Sequence, residues 1–149
     1  MRLTYRVLAY LICGLVALQA ASHAWSSAGI AKFLGEGGTF DMSGPPNFPE
    51  ALGFMIHGMN GMYVIPIAAV VLLVVAFLAK IPNGVMWAAI VLALVVLQVA
   101  LGIFGHDMTA LAFLHGVNAL LLFGTAMYAG IRAGARAEAV APRSTVGVG

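Results

Sequence analysis

Charged residues are scarce in this chain: Asp, Glu, Lys and Arg make up 8% of its 149 residues, against about 25% in an ordinary soluble domain. Hydrophobic residues make up 62%. A chain of this length folded in water has too much surface for its volume to hide so many apolar side chains. The composition therefore excludes an ordinary soluble domain and indicates a protein that resides in a lipid bilayer.

Other absences exclude whole classes of function. The seven Lys and Arg residues are scattered, so they form no basic stripe for nucleic acid. A single cysteine, Cys13, excludes an internal disulfide. No glycine-rich phosphate loop and no nucleophile elbow occurs. Asp and Glu are missing from the long apolar runs, which argues against a carboxylate proton relay.

The long apolar runs predict an all-α, up-and-down bundle of four transmembrane helices. A membrane-crossing helix needs about 20 mostly apolar residues. Four stretches meet this requirement: 7–25, 51–79 (where Pro66 predicts a kink), 85–104 and 109–131. The connections between the last three are short, so neighbouring helices must be antiparallel.

The distribution of positive charge predicts the orientation. One side of the predicted membrane carries Arg2, Arg6, Lys80, Arg132, Arg136 and Arg143. The other side carries Lys32 with Glu36, Asp41, Glu50 and Asp107. Both chain ends, including a flexible tail at 133–149, are therefore expected in the cytoplasm. The loop 26–50, rich in Gly, Ser and Pro, is expected outside, where Phe40 and Phe48 could fold back onto the membrane surface.

A competing interpretation concerns the first apolar run. Arg2 and Arg6 precede it and Ser22-His23-Ala24 follows it, which is also the pattern of a cleavable signal peptide. The internal repeat favours a structural helix, because it includes this segment.

The chain contains an internal repeat. His57-Gly58-Met59-Asn60 in the second span matches His115-Gly116-Val117-Asn118 in the fourth. Residues 15–21 in the first span match 94–100 in the third, including Gln19 and Gln98. The bundle is therefore predicted to consist of two copies of one helical hairpin, related by an axis along the membrane normal.

Histidine inside a membrane span is rare, and by default it indicates a functional site. His57 and His115 each lie about six residues inside a span that descends from the outer surface, so both rings are expected roughly 9 Å below that surface. The second and fourth helices are diagonal in the bundle, so the two imidazoles can point at one centre. Facing helices supply axial ligands to haem in this way. The sequence thus predicts a site for haem b.

Neighbouring residues fit the same hypothesis. Gly58 and Gly116 follow the histidines and leave room for a flat macrocycle. The amides of Asn60, Asn118, Gln19 and Gln98 are candidates to bond the second imidazole nitrogen or to contact the haem propionates.

Alternatives remain open at this point. His, Asn and Gln commonly hold membrane helices together without a cofactor, so a non-enzymatic accessory subunit is the second interpretation and a small-molecule transporter the third. His23 and His106, at the outer ends of the first and third spans, could flank the haem edge, bind a surface metal or face lipid headgroups. Partners other than lipid are expected to be a membrane redox protein or a larger complex.

The segments Leu97-Gln98-Val99-Ala100-Leu101-Gly102 and Leu114-His115-Gly116-Val117-Asn118-Ala119 resemble the third and fourth helices of one half of heme A synthase. The chain also resembles small bacterial four-span membrane proteins of about this length. The resemblance implies a four-helix bundle in a bacterial plasma membrane, with haem bound by a histidine on the second helix and one on the fourth, near the outer face.

The chain departs from that family at two points. Heme A synthase has a Glu three residues before the histidine of the second helix, where this chain has Phe54, and many members have a cysteine pair in the first outer loop, where this chain has none. The resemblance therefore favours haem binding by His57 and His115 and electron transfer rather than oxidation of a haem methyl group.

Overall fold

The computed structural model describes residues 1–39, 44 and 46–138, with side chains as far as residue 134. In this part of the chain all regular structure is helical. The α-helices are α1 (Arg2–Gly35), α2 (Leu52–Met59), α3 (Ile65–Ala79), α4 (Gly84–Phe104) and α5 (Thr109–Glu138). A 3₁₀ turn (Pro49–Ala51) precedes α2, and a π turn (Asn60–Val64) joins α2 to α3.

Four helical segments are long and apolar enough to cross a membrane: Arg2–Gly35, Pro49–Ala79, Gly84–Phe104 and Thr109–Gly134. α1 packs against α3 and α5, and α4 packs against the same two helices. The second and fourth spans are therefore diagonal to each other, and the predicted all-α bundle is confirmed. Large apolar side chains such as Phe113 (72% exposed) and Leu120 (75% exposed) cover its outside, as expected for helices surrounded by lipid.

The packed core lies in the half of the bundle that contains the start of α1 and the end of α5. Tyr5, Ile12, Leu72, Val91 and Leu122 are each at most 1% exposed there. The hydroxyl of Tyr5 donates a 3.0 Å hydrogen bond to the carbonyl of Gly84, so its polar atom is satisfied inside the core. α2 contributes no residue to this core cluster. The opposite half of the bundle is consequently less tightly filled.

The second span is interrupted one turn before Pro66. The sequence predicts a kink at this proline, because proline has no N–H and its ring clashes with the carbonyl four residues earlier. In the structure the backbone widens into the π turn, where the N–H of Ile65 donates to the carbonyl of Asn60. The π turn displaces the carbonyl that would otherwise meet the proline ring.

α1 is longer than the predicted span 7–25 and continues through residues that the sequence assigns to the outer loop. Contacts with the start of the second span explain the extension. The hydroxyl of Ser26 donates a 2.8 Å bond to the carbonyl of Glu50, and the side chain of Glu50 packs on Gly29. Phe33 stacks on Phe48 with ring centroids 5.4 Å apart. The small and polar residues that resemble a loop in the sequence are therefore the contact face of a helix.

α5 is also longer than predicted and continues past residue 133, where the sequence places the start of a flexible tail. Residues 139–149 of that tail lie outside the described residues, as do Phe40, Asp41 and Arg143, which the topology prediction uses.

Candidate functional site

The rings of His57 and His115 face each other across the less tightly filled half of the bundle. His57 lies in the last turn of α2 and His115 lies in α5. Their ring centroids are 6.1 Å apart and their planes are inclined by 50°. Two residues that are far apart in the sequence thus lie close together in the bundle.

Each imidazole is held in the same way by the preceding span. The Nδ1 atom of His57 lies 3.1 Å from the carbonyl oxygen of Gln19, and the Nδ1 atom of His115 lies 3.0 Å from the carbonyl oxygen of Gln98. A carbonyl oxygen can only accept, so Nδ1 carries the proton. A neutral ring protonated at Nδ1 has its lone pair on Nε2, the atom that binds metals. The two bonds therefore fix the tautomer and the ring orientation that a metal ligand needs.

The two asparagines tie the helices of each hairpin together. Asn60 Nδ2 donates to the carbonyl of Leu15 and Asn118 Nδ2 donates to the carbonyl of Leu94, both at 3.0 Å. Side-chain amides were candidate partners for the second imidazole nitrogen, but main-chain oxygens of the two glutamines take that place. The asparagines position helices, so any effect they have on the histidines is indirect.

The two glutamines differ between the copies. Gln98 Nε2 donates to the carbonyl of His115 at 3.0 Å, and its Oε1 accepts from Asn118 at 2.6 Å. The Oε1 atom of Gln19 is buried and has no hydrogen-bond partner among the described residues. The Oδ1 atoms of Asn60 and Asn118 are likewise buried without a partner among the described residues. The two hairpins therefore differ at the glutamine: both ends of the Gln98 amide are bonded, while the first hairpin presents an unsatisfied Gln19 oxygen beside the histidine pair.

Two cavities flank the histidine pair. A cavity of about 250 Å³ lies between the second and third spans, where Gly58 and Gly102 line it. A cavity of about 500 Å³ lies between the first and fourth spans, where Ala20 and Gly116 line it. Both are lined by Gln19, His57, Gly61, Gln98, Val99 and His115. The larger cavity alone is in the range of about 300–1,000 Å³ found for ligand sites.

Glycines make this space available. A Cβ atom added at Gly58 or Gly116 would meet no atom within 4 Å, so open space adjoins both positions. Gly102, which sequence reasoning missed, is more restricted, because a Cβ there would lie 3.1 Å from Cε1 of His115. Its spacing of four residues from Gln98 places it on the same helix face, and this spacing was the available signal.

His23 and His106 lie at the edges of the two cavities. The His23 ring centroid is 5.1 Å from that of His57 and 6.0 Å from that of Phe54, and His23 lines the larger cavity. His106 lines the smaller cavity. Both side chains are exposed. The described residues nevertheless contain no group of three or more His, Cys, Asp or Glu side chains arranged to hold a metal ion.

No family model matches this chain, and no curated protein or solved structure matches it either.

Proposed function

We propose that this chain is a haem b-binding protein of a bacterial plasma membrane, with His57 and His115 as the axial ligands, and that it transfers electrons near the outer face. The observation that carries the proposal is the separation of the two rings. A ring nitrogen binds a transition metal at about 2 Å and lies about 1 Å from its ring centroid, so two axial rings on one metal have centroids about 6 Å apart. The observed value is 6.1 Å.

The surroundings of the rings support the same ligand. Space lies on both sides of the line that joins the histidines, as a flat macrocycle set across that line requires. The lining is mostly apolar, with a few polar groups from Gln19 and Gln98. Such a lining suits a group with a large apolar face.

Each residue would have a distinct part in electron transfer. A bound haem would supply a reversible one-electron couple. His57 and His115 would hold its iron, while the carbonyls of Gln19 and Gln98 keep both Nδ1 atoms protonated. Iron held by both histidines would leave no free site for oxygen, which favours electron transfer over oxygen chemistry. The excess of Lys and Arg at the end that carries both chain ends supports a cytoplasmic location for that end.

The proposal is tested by the absorption spectrum of protein purified in mild detergent after expression with added haem, before and after dithionite. A Soret band and a sharp α-band on reduction are expected for the unaltered chain. His115→Ala should lose the low-spin spectrum and regain it with added imidazole. His106→Ala, which removes a histidine outside the facing pair, should keep it. A colourless unaltered protein would exclude haem binding.

A second candidate is a non-enzymatic accessory subunit. The bonds from Asn60 and Asn118 to main-chain carbonyls of neighbouring helices favour it, because such bonds hold membrane helices together without any ligand. It predicts a colourless protein in which His57→Leu is still inserted and stable.

A further inference from the structure

The end of the bundle that carries both chain ends has a basic crevice of its own, far from the histidines. Arg2 at the start of α1 and Arg132 in α5 line a cavity of about 140 Å³ together with Ile81, Pro82 and Ala133. Two guanidinium groups from the first and last spans are thus brought to one small space by the tertiary structure.

No described carboxylate balances these charges. Glu36, Glu50 and Asp107, the acidic residues whose side chains are described, belong to the opposite end of the bundle, and no ion pair to Arg2 or Arg132 occurs among the described residues. Like charges that share a crevice repel each other, so an anion between them would be favourable.

Each guanidinium group is oriented by one hydrogen bond to the protein and has further N–H donors without a protein acceptor among the described residues. Arg132 donates to the hydroxyl of Tyr128 at 3.0 Å and lies 5.6 Å from the centre of that ring. Arg2 donates to the carbonyl of Lys80 at 3.5 Å. A guanidinium has five N–H donors, so each still has several to offer. Planar pairs of N–H groups match the oxygen atoms of phosphate.

The position of the crevice indicates where the phosphate comes from. Tyr128 packs edge-on against Trp87 with ring centroids 4.7 Å apart, and such aromatic residues mark the membrane interface. Beside the arginines, Leu3 is 71% exposed and Ile131 is 52% exposed, so apolar surface adjoins the charged groups. A phospholipid whose phosphate group is held there would have its acyl chains beside apolar helix faces.

We propose that this crevice binds the phosphate group of an anionic phospholipid between Arg2 and Arg132. Headgroup sites between transmembrane helices are typically basic pockets of this kind. The site is independent of the histidine pair and would exist whether or not the chain binds haem.

The test is native mass spectrometry of the full chain in mild detergent, titrated with phosphatidylglycerol or phosphatidylcholine. The unaltered chain should retain phosphatidylglycerol, and Arg132→Gln and Arg2→Gln should each weaken its binding about fivefold or more. Arg6→Gln is the matched control: it removes the same charge at the same end, but Arg6 lies against Tyr10 and does not line the crevice. This control should stay close to the unaltered chain.

Three results would overturn the proposal. Equal weakening by all three variants would mean diffuse attraction without a site. Equal retention of phosphatidylcholine would mean that the headgroup charge is not recognised. Displacement of the lipid by excess inorganic phosphate would mean a site for the free anion. Arg2→Gln alters only the first residue of α1, so its result stands even if Arg132→Gln proves unstable.

Discussion

Asn60 and Asn118 make the same hydrogen bond in the two halves of the bundle, each donating at 3.0 Å to a main-chain carbonyl of the preceding span. The acceptors, Leu15 and Leu94, lie four residues before Gln19 and Gln98, whose carbonyls hold the two histidines. Each hairpin therefore contains one repeated unit of two hydrogen bonds. The repeat in the sequence is thus a repeat of contacts.

The difference between the two copies should be measurable as a coupling energy. Asn118 also donates to the side chain of Gln98, and no such bond between Asn60 and Gln19 occurs among the described contacts. A double-mutant cycle with Asn118→Ala and Gln98→Ala should give a coupling of about 0.6 kcal/mol in the free energy of unfolding. The matched cycle with Asn60→Ala and Gln19→Ala should give a value near zero. Unfolding in SDS followed by circular dichroism measures both, and equal couplings would contradict the asymmetry.

Filling the cavities beside His57 and His115 should weaken haem binding without harming the fold. A leucine side chain at Gly116 or Gly58 would enter open space beside the rings, and leucine is a better helix former than glycine. Overlap with a bound macrocycle costs about 1–3 kcal/mol, so haem affinity should fall about tenfold or more. The measurement is haem stoichiometry from the absorption spectrum.

Gly124→Leu is the control for these two variants. A Cβ at Gly124 also meets no atom within 4 Å, but Gly124 lines neither cavity. It should bind haem like the unaltered chain. If all three leucine variants bind haem equally, haem does not occupy the cavities beside Gly58 and Gly116.

The contact between α1 and the start of the second span should depend on one hydroxyl. Ser26→Ala removes the bond to the carbonyl of Glu50 and leaves a part-buried acceptor without its donor, which should lower the free energy of unfolding by about 1–3 kcal/mol. Ser27→Ala, at the next and exposed position, should change it by less than about 0.5 kcal/mol. Thermal unfolding in detergent compares the two. Alanine is a better helix former than serine, so helix propensity opposes a loss in either variant. Similar losses in both variants would mean that the bond to Glu50 does not set the cost.

The proposed orientation can be tested with single cysteines, because the native Cys13 is buried. Thr109→Cys lies at the first residue of α5, directly after the connection from α4, and Pro82→Cys lies in the connection between α3 and α4. Both native side chains are exposed. In intact cells a membrane-impermeant maleimide should label the cysteine at 109 and should label the one at 82 only after lysis. The reverse pattern would show that the chain ends lie outside.

The sequence was a good guide to the spans and a poorer guide to their ends. Long runs of apolar residues are visible in the sequence itself, so the four membrane-crossing segments could be read directly. The extension of α1 could not, because Ser26 and Gly29 favour a loop by type and join a helix only through their contacts with Glu50. The sequence predicts a kink at Pro66, and the feature that the structure adds is a π turn over Asn60–Val64, just before the proline.

The sequence by itself determined that the chain is a four-span helical bundle with a duplicated hairpin and one histidine in each copy, since hydropathy and repeated motifs can be read along the chain without knowing how it packs. Only the tertiary structure decided how far apart the two rings lie, which atoms hold them and where space remains beside them. It also decided that Arg2 and Arg132 share a crevice. Distances between residues remote in sequence depend on how helices pack, and packing is set by all the side chains at once.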